Sequence, residues 1–123
     1  MAVSGTFEIK LEPQNDEVAP AGRMTIHKEY SGGIVGIGVG QMISKRTDGG
    51  AAVYSAIEEF EGSVEGKTGS FTLFHHGFMS ALKQSLEIII VEGSGTAELK
   101  GIQGNLAINQ EDGKHSYVFE YQL

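Results

Sequence analysis

Apolar side chains recur at every second position through most of this chain, and glycines rather than prolines separate the alternating segments. The 123 residues contain 18 glycines and only two prolines. Alternation of this kind is typical of strands with one buried face, and the glycines mark tight turns between strands. No convincing helical segment interrupts the pattern. The chain is therefore predicted to be all-β.

Eight segments carry the alternation at regular spacing, with no linker between them. They cover residues 3–11, 23–30, 34–47, 51–61, 70–79, 85–91, 104–110 and 115–122. The sixth is apolar at both alternating positions, which predicts a strand covered on both faces. The polar segment 13–20 is predicted to be a connection. We expect one domain over residues 1–123, folded as an antiparallel sandwich or a closed barrel.

The stretch GSGTAELKGIQGNLAI at residues 93–108 raises the question of a phosphate-binding loop. A dinucleotide fingerprint needs a third glycine three positions after Gly95, at the head of a helix. Glu98 occupies that position, and residues 105–110 alternate like a strand. The stretch is therefore predicted to be a corner that leads back into sheet.

Charge and composition exclude several classes of protein. Sixteen acidic against nine basic residues give a net charge of −7, which opposes binding to nucleic acid. The absence of cysteine excludes disulfides and thiolate metal sites. The first ten residues lack the basic start and apolar run of a signal peptide, and the apolar run Ile88–Val91 is too short to cross a bilayer. We expect a cytoplasmic protein with no membrane or nucleic-acid partner and no cofactor.

The hairpin between residues 51–61 and 70–79 predicts where polar side chains meet. Gly66-Lys67 is predicted to form a type II′ turn, because glycine is favoured at its first position. This register gives four pairs on one face of the sheet: Phe60–Leu73, Glu58–His75, Ala56–Gly77 and Tyr54–Met79. Because burial of either charge alone costs on the order of 2–5 kcal/mol, the carboxylate and the imidazole on this otherwise apolar face are predicted to pair with each other.

Lys28 shares its face with Met24, Ile26 and Tyr30, and is placed to point the same way as Glu58. A charged glutamate beside an imidazole orients the ring, which is a common general acid/base arrangement. The structural alternative is that these polar groups satisfy one another and fix the strand register.

Glycines at 36, 38 and 40 leave one face of a strand without side chains. Interior strand glycine costs about 0.5–1 kcal/mol relative to alanine, so the space is predicted to be needed. A ligand close to the backbone, a sharp bend or a large opposing side chain would each need it.

His115 shares a face with Tyr117, Phe119 and Tyr121. It could join His75 and Glu58 in a two-histidine, one-carboxylate metal site, although no spacing in the sequence fixes their distance. His75 and His76 point to opposite faces of their strand and cannot bind one metal ion together. No metal site is assigned.

The segment Gly95–Gly104 resembles the glycine-rich corner of the allene oxide cyclase and dirigent β-barrels. A closer resemblance, through nearly the whole chain, is to the bacterial domain-of-unknown-function family 3224, which is similar in fold to those barrels. Four blocks carry it: Gly22-Arg23 with Thr25-Ile26 and Lys28; Tyr54-x-Ala56-x-Glu58; Gly69-Ser70-Phe71-x-Leu73-x-His75-x-Gly77-x-Met79; and His115-x-Tyr117-x-Phe119-x-Tyr121. The resemblance implies an eight-stranded antiparallel barrel with an apolar interior, and the related barrels imply a homo-oligomer. It implies no particular reaction.

The expected role is to bind a small, largely apolar molecule inside the barrel. The side chains expected to contact it are Lys28, Tyr54, Glu58, Phe71, His75, His115, Tyr117, Phe119 and Tyr121. One alternative is an enzyme of the isomerase or cyclase type, with Glu58 and His75 as its catalytic acid/base pair. The other is a cavity-free barrel that serves as a structural or assembly module.

Overall fold

The chain forms a closed barrel of eight strands in sequence order, each antiparallel to its neighbours. This computed structural model describes residues 1–18 and 20–123, so Ala19, within the predicted connection 13–20, lies outside the described residues. The strands are β1 (Ala2–Gln14), β2 (Gly22–Gly32), β3 (Ile34–Arg46), β4 (Ala52–Val64), β5 (Lys67–Met79), β6 (Gln84–Ile90), β7 (Gln103–Glu111) and β8 (Lys114–Gln122). The eight-stranded barrel is thus confirmed, and β1 runs three residues further than the alternation predicted.

Pairing between β1 and β8 closes the barrel and leaves neither strand with a free edge. Because neighbouring strands are antiparallel, their connections alternate between the two ends. We call the end that carries the β2–β3, β4–β5 and β6–β7 connections the closed end, and the opposite end the mouth. On each strand, we call the positions whose side chains point into the barrel the inward positions.

The closed end is filled by side chains. The corner at 91–102 contains a three-residue 3₁₀ turn, Ala97–Leu99, and places Leu99 and Ile102 in the core at 0% and 1% exposure. Phe71 stacks on Phe60 and on Phe119, with ring centroids 4.8 and 5.9 Å apart. The glycine-rich stretch is therefore a corner that covers one end of the barrel. No helix among the described residues is long and apolar enough to cross a membrane.

The β4–β5 hairpin has a different turn from the predicted one. Val64 pairs with Lys67, so the two turn residues are Glu65 and Gly66, both with positive φ (47° and 84°), as in a type I′ turn. The four inward pairs become Phe60–Phe71, Glu58–Leu73, Ala56–His75 and Tyr54–Gly77. The predicted turn was wrong by one residue, and the predicted pairs were wrong by two. The actual register buries Val64 completely and stacks Phe60 on Phe71.

The shift of the pairs by two residues leaves every side chain on its predicted face, because strand side chains alternate with a period of two. Glu58 and His75 both still point into the barrel. They are now diagonal neighbours rather than directly opposed, a separation that long side chains can bridge.

The outer wall of β6 is exposed. Ile88 and Ile90 face the interior at 2% and 7% exposure, whereas Ile89 is 42% exposed. The prediction that both faces of this strand are covered was wrong for the single chain. Phe78 on the adjacent strand β5 and Ile57 on β4 add further exposed apolar area, and the homo-oligomer stays a prediction.

Candidate functional site

Four polar side chains from three strands meet inside the barrel and form what we call the polar cluster. Lys28 and Tyr30 come from β2, Glu58 from β4 and His75 from β5. Their exposures are 2%, 2%, 0% and 4%. Each occupies an inward position of its strand, so the alternation that builds the core also brings these groups together.

The Glu58 carboxylate is the centre of the cluster and accepts three hydrogen bonds. Its Oε1 accepts from Lys28 Nζ at 3.2 Å and lies 2.8 Å from His75 Nε2. Its Oε2 accepts from the Tyr30 hydroxyl at 2.5 Å. A buried carboxylate with this many donors is stabilised in its charged form.

The environment favours an ionised Glu58. Burial raises the pKa of this carboxyl, but the hydrogen bond from His75, the charge of Lys28 and the hydrogen bond from Tyr30 outweigh it and lower the pKa below its ordinary value. Burial, followed by the charge of Glu58, raises the pKa of Tyr30 far above its ordinary value. The cluster therefore holds an ion pair between Glu58 and Lys28, with Tyr30 as a neutral donor.

The ammonium group of Lys28 is also held by aromatic rings. Its Nζ lies 4.9 Å from the centroid of Phe7 and 5.7 Å from that of Tyr30. Cation–π contacts of this kind strengthen when the cation is shielded from water. The ring of Phe7 separates Lys28 from His115, whose ring centroid lies 5.2 Å from that of Phe7.

The glycine run in β3 makes room for the cluster. A Cβ atom at Gly38 would lie 2.0 Å from Glu58 Oε2 and 3.1 Å from the Tyr30 ring. At Gly40 it would lie 2.7 Å from the carbonyl oxygen of Ile57. The large opposing side chain is therefore the explanation at Gly38, whereas at Gly36 and Gly40 the nearest atoms belong to the backbone of β4.

The mouth of the barrel contains a cavity of about 640 Å³, which we call the mouth cavity. Its inward lining is largely apolar and includes Leu11, Met24, Met42, Met79, Leu86 and Ile108, with Tyr54 and Arg46 among its polar groups. Ligand sites in proteins span roughly 300–1,000 Å³ and have mostly apolar walls. A second concavity, of about 650 Å³, lies on the outer wall near the closed end and contains none of the predicted site residues.

Tyr54 lies between the mouth cavity and the polar cluster. It lines the cavity, and its ring covers Gly77, where a Cβ atom would come 2.7 Å from the ring. Gly77 is the inward position next to His75 on the mouth side, about 7 Å along the strand. Burial raises the pKa of the Tyr54 hydroxyl, which has no hydrogen-bond partner among the described residues.

The remaining predicted ligand contacts lie elsewhere. Phe71, Phe119 and Tyr121 stack on one another in the closed end, and Tyr121 donates to the Glu65 carboxylate, which raises its pKa to about 12. The Tyr117 hydroxyl accepts from the Ile34 amide at 2.9 Å and donates to the Ser31 carbonyl at 2.7 Å. These contacts are structural ones. Of the nine predicted residues, the structure brings Lys28, Glu58 and His75 together, with Tyr54 above them.

No three histidine or acidic side chains within residues 1–18 and 20–123 are grouped so that they could hold a metal ion. His115 in particular does not reach Glu58 and His75, since Phe7 lies between.

Sequence reasoning did not give Tyr30 or the three methionines of the mouth cavity a role in the site. The available signal was the alternation itself, because Tyr30 follows Lys28 by two positions and Met24 precedes Ile26 by two. Both therefore had to share the inward face of β2.

Comparison with known proteins agrees with this architecture. No curated protein shows significant similarity to the chain. A crystal structure of a protein of unknown function of the DUF3224 family from Shewanella oneidensis MR-1 is 35% identical, with a TM-score of 0.93, and the match covers 100% of this chain and 96% of that one. The sequence profile of the family described as "Protein of unknown function (DUF3224)" matches residues 3–121. The chain belongs to the DUF3224 family.

Proposed function

We propose that the protein binds a small, largely apolar molecule in the mouth cavity, with the polar cluster beneath it. The observation that carries this proposal is the contrast between the two halves of the barrel. The closed end is filled by stacked aromatic rings, whereas about 640 Å³ at the mouth is free of protein atoms. Space of this size with apolar walls favours a ligand, because a filled barrel would be the more stable solution for a purely structural protein.

The composition of the walls supports a ligand of low polarity. Three of the lining side chains are methionines, whose flexible thioethers adapt to irregular shapes. The few polar groups at the rim and beneath the cavity can fix the orientation of a bound molecule.

The test is a fluorescence titration with N-phenyl-1-naphthylamine, an uncharged probe whose emission rises in apolar surroundings. Met42→Trp places a large ring in the cavity, and Gln41→Trp places the same ring at the neighbouring outward position. We expect saturable binding to the wild-type protein and to Gln41→Trp, with at least tenfold weaker binding (~1.4 kcal/mol) to Met42→Trp. Equal binding to both variants would place the probe outside the mouth cavity and contradict the proposal.

A second candidate function is an isomerase- or cyclase-type reaction carried out by Glu58 and His75. It is favoured by one observation, the 2.8 Å contact between a buried carboxylate and His75 Nε2, which orients an imidazole for proton transfer. Once a ligand is identified, this candidate predicts its conversion by the wild-type protein. Glu58→Gln would then lose turnover while it still binds the ligand. Unchanged turnover in a folded Glu58→Gln variant would rule the pair out.

A further inference from the structure

The second ring nitrogen of His75 is free. Nε2 faces the Glu58 carboxylate, which can only accept, so the hydrogen-bond network places a proton on Nε2, and a ring that carries this one proton has an acceptor at Nδ1. Among the described residues no group bonds to Nδ1, and no fully enclosed side-chain nitrogen or oxygen lacks a partner. Nδ1 is therefore not fully enclosed, and because His75 points inward, this nitrogen faces the interior of the barrel.

The route from this nitrogen to the mouth cavity is short. Gly77, the next inward residue toward the mouth, contributes no side chain, and the Tyr54 ring that covers it also lines the cavity. Tyr54 is half-buried and its hydroxyl makes no hydrogen bond that would hold the ring in place. A ligand in the mouth cavity can thus bring one end to His75 when this single ring turns aside.

The charges of the cluster select the chemistry of that end. An anionic head offers only acceptors to Nδ1, and it would have to shed its water without a free cation, because Lys28 is already paired with Glu58. A cationic head would have to shed its water without a free counter-charge, because Lys28, Tyr30 and His75 already satisfy Glu58. A neutral donor, a hydroxyl, meets neither obstacle.

We infer that the ligand is an apolar alcohol or phenol whose hydroxyl donates a hydrogen bond to His75 Nδ1. The inference rests on the proposed function, since the apolar body of the molecule occupies the mouth cavity. His75 then acts as the group that selects the ligand, and Glu58 positions its ring.

The test compares 1-octanol with its isomer heptyl methyl ether, which has the same atoms but no donor, and with octanoate. Affinities are measured by NMR titration of the wild-type protein and three variants. His75→Leu removes both ring nitrogens and brings no acceptor, while Lys28 and Tyr30 still donate to Glu58. His76→Leu makes the same change at the neighbouring exposed position, and Tyr54→Phe removes a hydroxyl that lines the cavity. We expect the wild-type protein and His76→Leu to bind octanol at least about tenfold more tightly than the ether or octanoate. In His75→Leu the preference should disappear.

Each other outcome overturns a defined part of the account. Equal affinity for octanol and ether contradicts the inference but leaves cavity binding intact, and a preference lost in Tyr54→Phe assigns the acceptor to Tyr54 instead. Preferred binding of octanoate would mean that the site selects an anion. If no probe binds the wild-type protein at all, the proposed function fails together with the inference.

A second measurement needs no variant and so does not depend on whether His75→Leu folds. In protein with ¹⁵N-labelled histidine, the Nδ1 signal of His75 should be that of an unprotonated ring nitrogen. It should move on addition of octanol and stay in place with the ether. A protonated Nδ1 in the free protein would overturn the inference.

Discussion

Glu58 and His75 stand two residues out of register on neighbouring strands, and their side chains still meet at 2.8 Å. The residue directly opposite Glu58 is Leu73, and the residue directly opposite His75 is Ala56. Right-handed sheet twist brings one set of diagonal neighbours closer than the other. The small side chain of Ala56 leaves room for this diagonal contact. The pair thus depends on the faces of the two strands rather than on direct opposition.

Loss of the Glu58 charge is expected to destabilise the protein strongly. Glu58→Gln leaves the buried ammonium of Lys28 without its counter-charge, and breaking a buried pair in this way costs about 3–5 kcal/mol. The free energy of unfolding in urea measures the effect. Glu61→Gln, an exposed position on the outer face of the same strand, is the control and should change stability by less than about 0.5 kcal/mol.

Lys28→Met should relieve part of that loss when it is combined with Glu58→Gln. The double variant removes both charges at once, so it is expected to be more stable than the sum of the single effects by about 1–3 kcal/mol. Strict additivity in this double-mutant cycle would show that the two side chains are not energetically coupled, against the 3.2 Å contact.

The contribution of Glu58 should disappear in acid. Its pKa is lowered in the folded protein, so the folded state binds the proton less readily than the unfolded chain does. The stabilisation is complete above the ordinary glutamate pKa of about 4.3 and is lost as the pH falls through the lower folded value. The difference in unfolding free energy between the wild-type protein and Glu58→Gln should therefore shrink between about pH 7 and about pH 3. A difference that stays constant over this range would mean that Glu58 does not carry the charge assigned to it.

The space above Gly38 is expected to be as important as the carboxylate that fills it. Gly38→Ala brings a methyl group to 2.0 Å from Glu58 Oε2, and because the carboxylate is held by three donors, the cost should be about 1–3 kcal/mol. Gly49→Ala, which meets no atom within 4 Å, should leave the thermal midpoint nearly unchanged. Equal effects of the two substitutions would contradict the packing described here.

Tyr117 is expected to stabilise the β2–β3 connection through its hydroxyl. Tyr117→Phe leaves the buried amide of Ile34 without its acceptor, which costs about 1–3 kcal/mol. Tyr54→Phe removes a hydroxyl that has no partner among the described residues, so its effect on unfolding should be much smaller. A Tyr117→Phe variant as stable as Tyr54→Phe would show that the hydroxyl is not needed.

Much of this fold follows from local physical rules that a single sequence displays. Alternation decides which face of a strand is buried, so the pattern of apolar residues is enough to place Lys28, Glu58 and His75 on inward faces. The turn was harder to predict, because glycine at position 66 fits the first site of a type II′ turn and the second site of a type I′ turn equally well. The direct pairing and stacking of Phe60 on Phe71, a tertiary contact, distinguishes the observed register from the predicted one.

The division of the barrel into a filled and an open half could not be read from the sequence. Phe71, Phe119 and Tyr121 were expected at a ligand, because inward aromatic side chains line cavities and fill cores alike. Their position along the barrel axis decides which they do, and that position depends on the stagger of all eight strands. The resemblance to known barrels gave the closed architecture, which the alternation alone left open between a sandwich and a barrel.

Native mass spectrometry of the protein, purified gently from cells that naturally produce it, can detect a molecule bound in the mouth cavity. We expect an adduct with the mass of a small organic molecule, present in the wild-type protein and in Gln41→Trp and absent from Met42→Trp, because only the last fills the mouth cavity. An adduct that Met42→Trp retains, or none in any sample while all three proteins are folded, would contradict the claim that the mouth of this barrel holds a ligand.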